Sequence, residues 1–139
     1  MKKQIFNTLY ILGHLRRLAA AFLLLSAATL AYAQISVMTF NIRLDASVDG
    51  PNVWDNRKAA VCEMLKYYSP DLLGMQEVCP NQMDDLKAGL PEYEALGVGR
   101  DDGKHKGEHS PVFFNKKRFR LIRHGDFSLS ETPEVFGTK

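Results

Sequence analysis

Two apolar runs, each closing on polar residues, constrain this chain most. The first is Val37-Met38-Thr39-Phe40-Asn41-Ile42-Arg43 and the second is Asp71-Leu72-Leu73-Gly74-Met75-Gln76-Glu77. Both are rich in strand-favouring residues, and the stretch between them carries apolar residues at helical spacing, so the order reads strand, helix, strand. In such a unit the carboxyl ends of neighbouring parallel strands open onto one crevice, where ligands bind. Asn41 and Glu77, far apart in sequence, are therefore expected to face each other at one edge of a sheet.

The first 33 residues read as an export signal. Lys2, Lys3, Arg16 and Arg17 precede an apolar run from Leu18 to Ala31, and Ala31-Tyr32-Ala33 supplies the small-x-small pattern of a cleavage site. That run is short for a membrane span, which needs about 20 residues, so no stable span is expected after cleavage; a retained anchor is the alternative. The expected location is periplasmic or secreted. All 16 acidic residues lie beyond Ala33, against 14 of the 18 basic ones, which leaves 106 residues with a formal charge of −2. The basic balance of the whole chain thus belongs to its amino terminus, and a broad positive field for nucleic acid is not supported. A segment of this length forms one domain with a modest core. Cys62 and Cys79 are the only cysteines. Export would permit them to pair, but two cysteines do not make a framework, and separately buried thiols are favoured over a bridge.

Residues 34–43 read as a strand covered on both faces, and 44–52, with Asp45, Ser47, Asp49, Gly50 and Pro51, as a loop. Asp55-Asn56-Arg57-Lys58 opens a helix with Ala59, Cys62, Met64 and Leu65 on one side, ended by Ser69-Pro70. A second buried strand runs from Asp71 to Val78. A short helix with Met83, Leu86 and Leu90 at helical spacing follows Pro80-Asn81, and Tyr93–Val98 forms a third strand. After a polar loop over 99–108, residues 110–115 and 119–130 are expected to pair as a hairpin around Lys116-Lys117-Arg118.

The residues with chemistry to offer cluster at the strand ends. Glu77 closes a strand too apolar to present a carboxylate to water along its length. Hard divalent ions such as Mg²⁺ take oxygen ligands, often only one or two protein carboxylates plus substrate phosphate. Gln76 and Asn41 add carboxamides that can orient a phosphoryl group, although a strand-end residue capping a neighbouring loop fits the same spacing. Arg43 is suited to a phosphate or to a nearby acid such as Asp45. Trp54 and Arg57 line the cleft or lock the preceding loop, with burial the favoured role for Trp54. Glu108 and His109 follow a glycine-rich loop within reach of the cleft; His109 is able to act as acid or base, although a polar residue at a strand edge is the favoured reading.

Thr39-Phe40-Asn41-Ile42-Arg43, then Trp54 and Arg57, then Gly74-Met75-Gln76-Glu77-Val78 together resemble the opening of the endonuclease/exonuclease/phosphatase family. The run from Gly107 through Phe119 is similar to that family's next segment. The resemblance implies an α+β fold, the amino-terminal portion of a four-layer α-β-β-α sandwich with mixed β-sheets. It also implies divalent-metal hydrolysis of phosphate esters or phosphodiesters, with Mg²⁺ or Mn²⁺ as cofactor. Carried over by position, Glu77 and Asn41 become the metal and catalytic residues; Arg43, Arg57, Glu108 and His109 stay as substrate-binding candidates on their own chemistry and place in the chain. The family's second half supplies a histidine, a Gly-Asp-x-Asn motif and a terminal Asp-His pair, and none of these appears before Lys139. The chain is therefore expected to be an inactive amino-terminal fragment, 34–139 being a partial domain. The contrasting expectation is a non-catalytic exported binding module. A phosphate ester is the expected partner, with nucleic acid open but not favoured.

Overall fold

The computed structural model describes residues 13–23 and 34–137. The chain divides into two units, Met1–Ile35 and Ser36–Lys139. In the first, residues 13–23 form a helix, α1, with its residues exposed. The cleavage pattern at Ala31-Tyr32-Ala33 and most of the apolar run before it lie outside the described residues. Among the described residues, no helix is long and apolar enough to cross a membrane.

The second unit is a mixed α+β fold. Its elements are β1 (Val37–Asn41), a 3₁₀ segment (Ser47–Asn52), α2 (Trp54–Tyr68), β2 (Leu72–Gln76), α3 (Pro80–Gly89), β3 (Tyr93–Leu96) and β4 (Val112–Asn115). The four strands make one sheet in the order β1-β2-β4-β3. β1 and β2 run parallel with Asn41 opposite Gln76. β4 lies antiparallel to both β2 and β3. The expected strand–helix–strand unit is present.

Side chains alternate across the strands, so one sheet face takes Met38, Phe40, Leu73, Met75 and Phe113 into a cluster with helix residues. That cluster includes Trp54, Val61, Cys62 and Leu65 of α2, Met83 and Leu86 of α3, and Leu90. The expected α2 stripe is shifted. Ala59 is exposed and Met64 only half-buried, while Val61 and Trp54 are inside. Ser69 ends α2 by turning left-handed at φ 44° and giving its N–H to the Leu65 carbonyl at 2.9 Å, with Pro70 next.

Three expectations are corrected. β1 is not covered on both faces: it is an edge strand, and Val37 is 72% exposed because its alternate residues point away from the helices. Residues 119–130 form no strand. β4 takes β2 and β3 as its neighbours instead of a hairpin partner, and its basic turn is tied down by Lys117–Glu92 and Arg118–Asp71 ion pairs. The cysteines are both free, as favoured, but Cys79 is only partly buried.

Cys62 faces Gly89 across the α2–α3 contact, where an added Cβ would sit 2.5 Å from the Cys62 Sγ. Gly89→Ala should therefore lower stability by about 1–3 kcal/mol, the usual cost of overpacking. Cys62→Ala should recover part of that loss in the double mutant. Urea midpoints of the four proteins measure the coupling; strictly additive effects would contradict this packing.

Candidate active site

Parallel pairing carries Asn41 and Gln76 to the same sheet edge, and the ladder continues one step with the Ile42 N–H on the Gln76 carbonyl at 3.2 Å. Glu77 then leaves the strand at φ 61°. The left-handed region disfavours side chains by roughly 1–2 kcal/mol, and such outliers persist where surrounding bonds hold them. Here the holding bonds are visible. Asn41 Nδ2 donates to Glu77 Oε1 at 2.8 Å, and the Leu44 N–H donates to Glu77 Oε2 at 3.1 Å. Asn41 Oδ1 in turn accepts the Arg43 N–H at 2.9 Å. The two head groups thus meet at one point, closed by a short loop from the end of β1.

This arrangement holds the Glu77 carboxyl below the usual carboxylate range. The Asn41 amide contributes most, then the Leu44 N–H, with the positive field of Arg43 adding to both. Glu77 is consequently an ionised, acceptor-only group at neutral pH.

The other candidates separate. Arg43, also left-handed at φ 63°, makes a two-pronged bond to Asp49 (Nε–Oδ2 3.0 Å, Nη2–Oδ1 2.8 Å) while its side chain stays 55% exposed. Its acid is Asp49 and not the expected Asp45, which instead accepts from Asn81 Nδ2 at 2.8 Å. Arg57 is half-buried and reaches back to the backbone on both limbs of the preceding loop. It donates to the carbonyls of Asn52 (2.6 Å), Ile42 (2.7 Å) and Arg43 (3.3 Å). These bonds commit three of its five N–H donors to backbone and lock the preceding loop, while the guanidinium still borders a cavity. Arg43, Asp49, Asn52 and Arg57 line a shallow cavity of about 290 Å³. Glu108 is ion-paired with Arg100 at 3.1 Å. His109 is buried, bridged to Val78, with its Nδ1 3.2 Å from the Val78 carbonyl. It lies beside the residue that follows Glu77, but its ring is a packed polar group. Trp54 is fully buried and donates its indole N–H to Asp85 at 2.8 Å.

Two contributors were not anticipated. Asp49 sits in a loop whose fold the spacing does not reveal. Gln82, fully buried on α3, donates to the Arg43 carbonyl at 2.9 Å and accepts from the Cys79 N–H. Its position three residues after Cys79, at a helix start, is the signal that could have marked it.

Together these features define a parallel βαβ unit with an acid and an amide converging at its open end. The sequence model of the endonuclease/exonuclease/phosphatase family matches residues 38–136, and the chain belongs to that family. It is similar to an endonuclease/exonuclease/phosphatase from Bacteroides vulgatus, with 46% identity and a TM-score of 0.74 over 76% of this chain and 40% of that one. It is also similar to a mannosyl-6-phosphatase of Bacteroides thetaiotaomicron, with 39% identity and a TM-score of 0.70 over 76% of this chain and 40% of that one. An uncharacterised protein of Acanthamoeba polyphaga mimivirus is 34% identical over 93 residues, 59% of this chain and 14% of its own. The chain spans about two fifths of the length of these two solved structures.

Asp49, Asp71 and Glu77 all have carboxyls held below their ordinary range, mainly by hydrogen bonds from Arg43, Ser36 and Asn41 respectively. A lowered folded-state pKa stabilises the fold at pH above the unfolded value and loses that contribution as pH falls through the folded one. Stability should therefore be flat near neutrality and decline from about pH 4, the unfolded carboxyl range, downward. Urea midpoints between pH 7 and pH 2.5 check this, and Glu77→Gln should flatten part of the decline. An acid limb unchanged by that substitution would contradict the Glu77 assignment.

Proposed function

We propose that this chain is the metal- and phosphate-binding part of a divalent-metal-dependent phosphoric ester hydrolase. The observation that carries the reading is the meeting of Asn41 and Glu77 at 2.8 Å on the carboxyl edge of parallel strands. Family membership supports a phosphoesterase or nuclease type of chemistry. The likeness to a mannosyl-6-phosphatase favours a phosphorylated sugar over a long polyanion as the ester, in keeping with the negative charge beyond residue 33.

The residues present fit Mg²⁺ or Mn²⁺. Glu77 is ionised, each of its oxygens accepts a single protein hydrogen bond, and a carboxylate oxygen keeps a further lone pair for a hard cation. Glu77 would hold the ion, with Asn41 beside it fixing the carboxylate and meeting the ion or the phosphate. When bound, the ion supplies Lewis-acid polarisation of the phosphoryl oxygen. Arg43, charged, exposed and held by Asp49, faces the substrate's anionic oxygens. Glu108 and His109 have a secondary, packing part. The basic, apolar and small residues of the first 33 positions support export to the cell envelope.

Among the described residues no group of three or more His, Cys, Asp or Glu gathers to hold a metal ion. One carboxylate and one amide bind an ion but do not activate water, so a polypeptide of this sequence is expected to bind metal without turning over ester. With p-nitrophenyl phosphate or bis-p-nitrophenyl phosphate and Mn²⁺, its rate should not exceed that of metal in buffer. Substantial turnover would overturn this part of the reading.

Metal binding itself is read by Mn²⁺ titration followed by electron paramagnetic resonance. Glu77→Gln should weaken binding at least tenfold and Asn41→Ala by a smaller factor. Equal affinity for the unaltered protein and Glu77→Gln would refute the site.

A further inference from the structure

The bonds that shape Glu77 come from a loop, and the loop has its own clamp. The two N–H groups that complete the site belong to Arg43 and Leu44, on the short limb leaving β1. Isolated, such a limb has no reason to hold a left-handed Arg43. Two side chains from the helical layer fix it. Arg57, on the first turn of α2, reaches the carbonyls of Ile42 and Arg43, and Gln82 of α3 reaches the Arg43 carbonyl as well. The same guanidinium holds the far limb of the loop through the Asn52 carbonyl at 2.6 Å. Arg57 is steadied from below, its guanidinium carbon 5.5 Å from the centre of the Trp54 ring, and Trp54 is itself buried and bonded to Asp85. A continuous set of contacts therefore runs from the helix core, through Trp54 and Arg57, to the backbone that faces Glu77.

From this geometry we infer that Arg57 is a positioning residue for the metal site. It fixes the 42–44 backbone so that the Arg43 and Leu44 N–H groups point at Asn41 and Glu77. The residue type matters. A guanidinium carries five N–H donors in a planar fork and stacks on an aromatic face, so one side chain serves three carbonyls and the indole at once. A lysine ammonium lacks that planar fork. Residues that orient a ligand from behind typically change metal affinity by 10–100-fold when removed. This inference rests on the metal-site reading above, and its two readouts separate the failure of one from the failure of the other.

The first readout needs no metal. Amide hydrogen exchange of the full chain should show Arg43 and Leu44 exchanging at least tenfold faster in Arg57→Ala, with the core amides of Val61–Leu65 unchanged. The second is Mn²⁺ affinity by electron paramagnetic resonance, expected to fall about tenfold in Arg57→Ala and to recover in part when millimolar guanidinium refills the gap. Arg57→Lys should lie between the two, and it replaces Arg57→Ala should that variant fail to fold. Unchanged exchange at Arg43 and Leu44 would overturn the clamp. Unchanged Mn²⁺ affinity in Arg57→Ala, where Glu77→Gln weakens binding at least tenfold, would overturn its role in the site. Loss of affinity in Arg57→Ala with no guanidinium recovery and with core amides also accelerated would mark a purely structural residue, and would likewise overturn it. Mn²⁺ affinity equally high in Glu77→Gln would remove the metal reading while leaving the exchange result to judge the clamp alone.

Discussion

The parallel register of β1 and β2 is the constraint on which the rest depends. A slip of one residue would invert every side chain of one strand and carry Glu77 away from Asn41. The register is pinned at both ends. At the amino ends Asp71 accepts from the Ser36 N–H (2.8 Å) and hydroxyl (3.1 Å), while the Asp71 N–H returns to the Ser36 carbonyl at 3.0 Å. At the carboxyl ends Asn41 and Glu77 close the pair. Between them, Met38 and Phe40 beside Leu73 and Met75 leave only one face that α2 and α3 can cover.

The site shows how local strain is offset by a small number of directed bonds. Two side-chain-bearing residues, Arg43 and Glu77, sit left-handed within one short stretch of contact. Neither conformation is favoured by its own sequence. Both are held by hydrogen bonds that cross between the strand ends and, through Arg57 and Gln82, into the helical layer. The consequence is a carboxylate with a fixed direction and a lowered pKa, which is the form a hard cation prefers.

Much of this was legible in the residues. The two apolar runs, the helix between them and its stop at Ser69-Pro70 follow from period and proline, and the convergence of Asn41 with Glu77 follows from the geometry of a parallel unit. The family follows from short motifs in the right order. What escaped had physical reasons. β4 is an apolar run whose partners lie far off in sequence, and nothing local distinguishes pairing with β2 and β3 from pairing with residues 119–130. Arg43 pairs with Asp49 and not the nearer Asp45, whose carboxylate is taken by Asn81 of α3, a partner far off in sequence. The three carbonyls that Arg57 meets were also hidden, since a sequence displays its charge but not the backbone it reaches.

The most direct test of the central claim is paramagnetic line broadening in the nuclear magnetic resonance spectrum as Mn²⁺ is added. The account predicts early, selective loss of signals from Asn41, Leu44 and Glu77, with the acidic 101–102 loop unaffected at the same concentration. Broadening centred on that loop, or spread evenly over the surface, would contradict it.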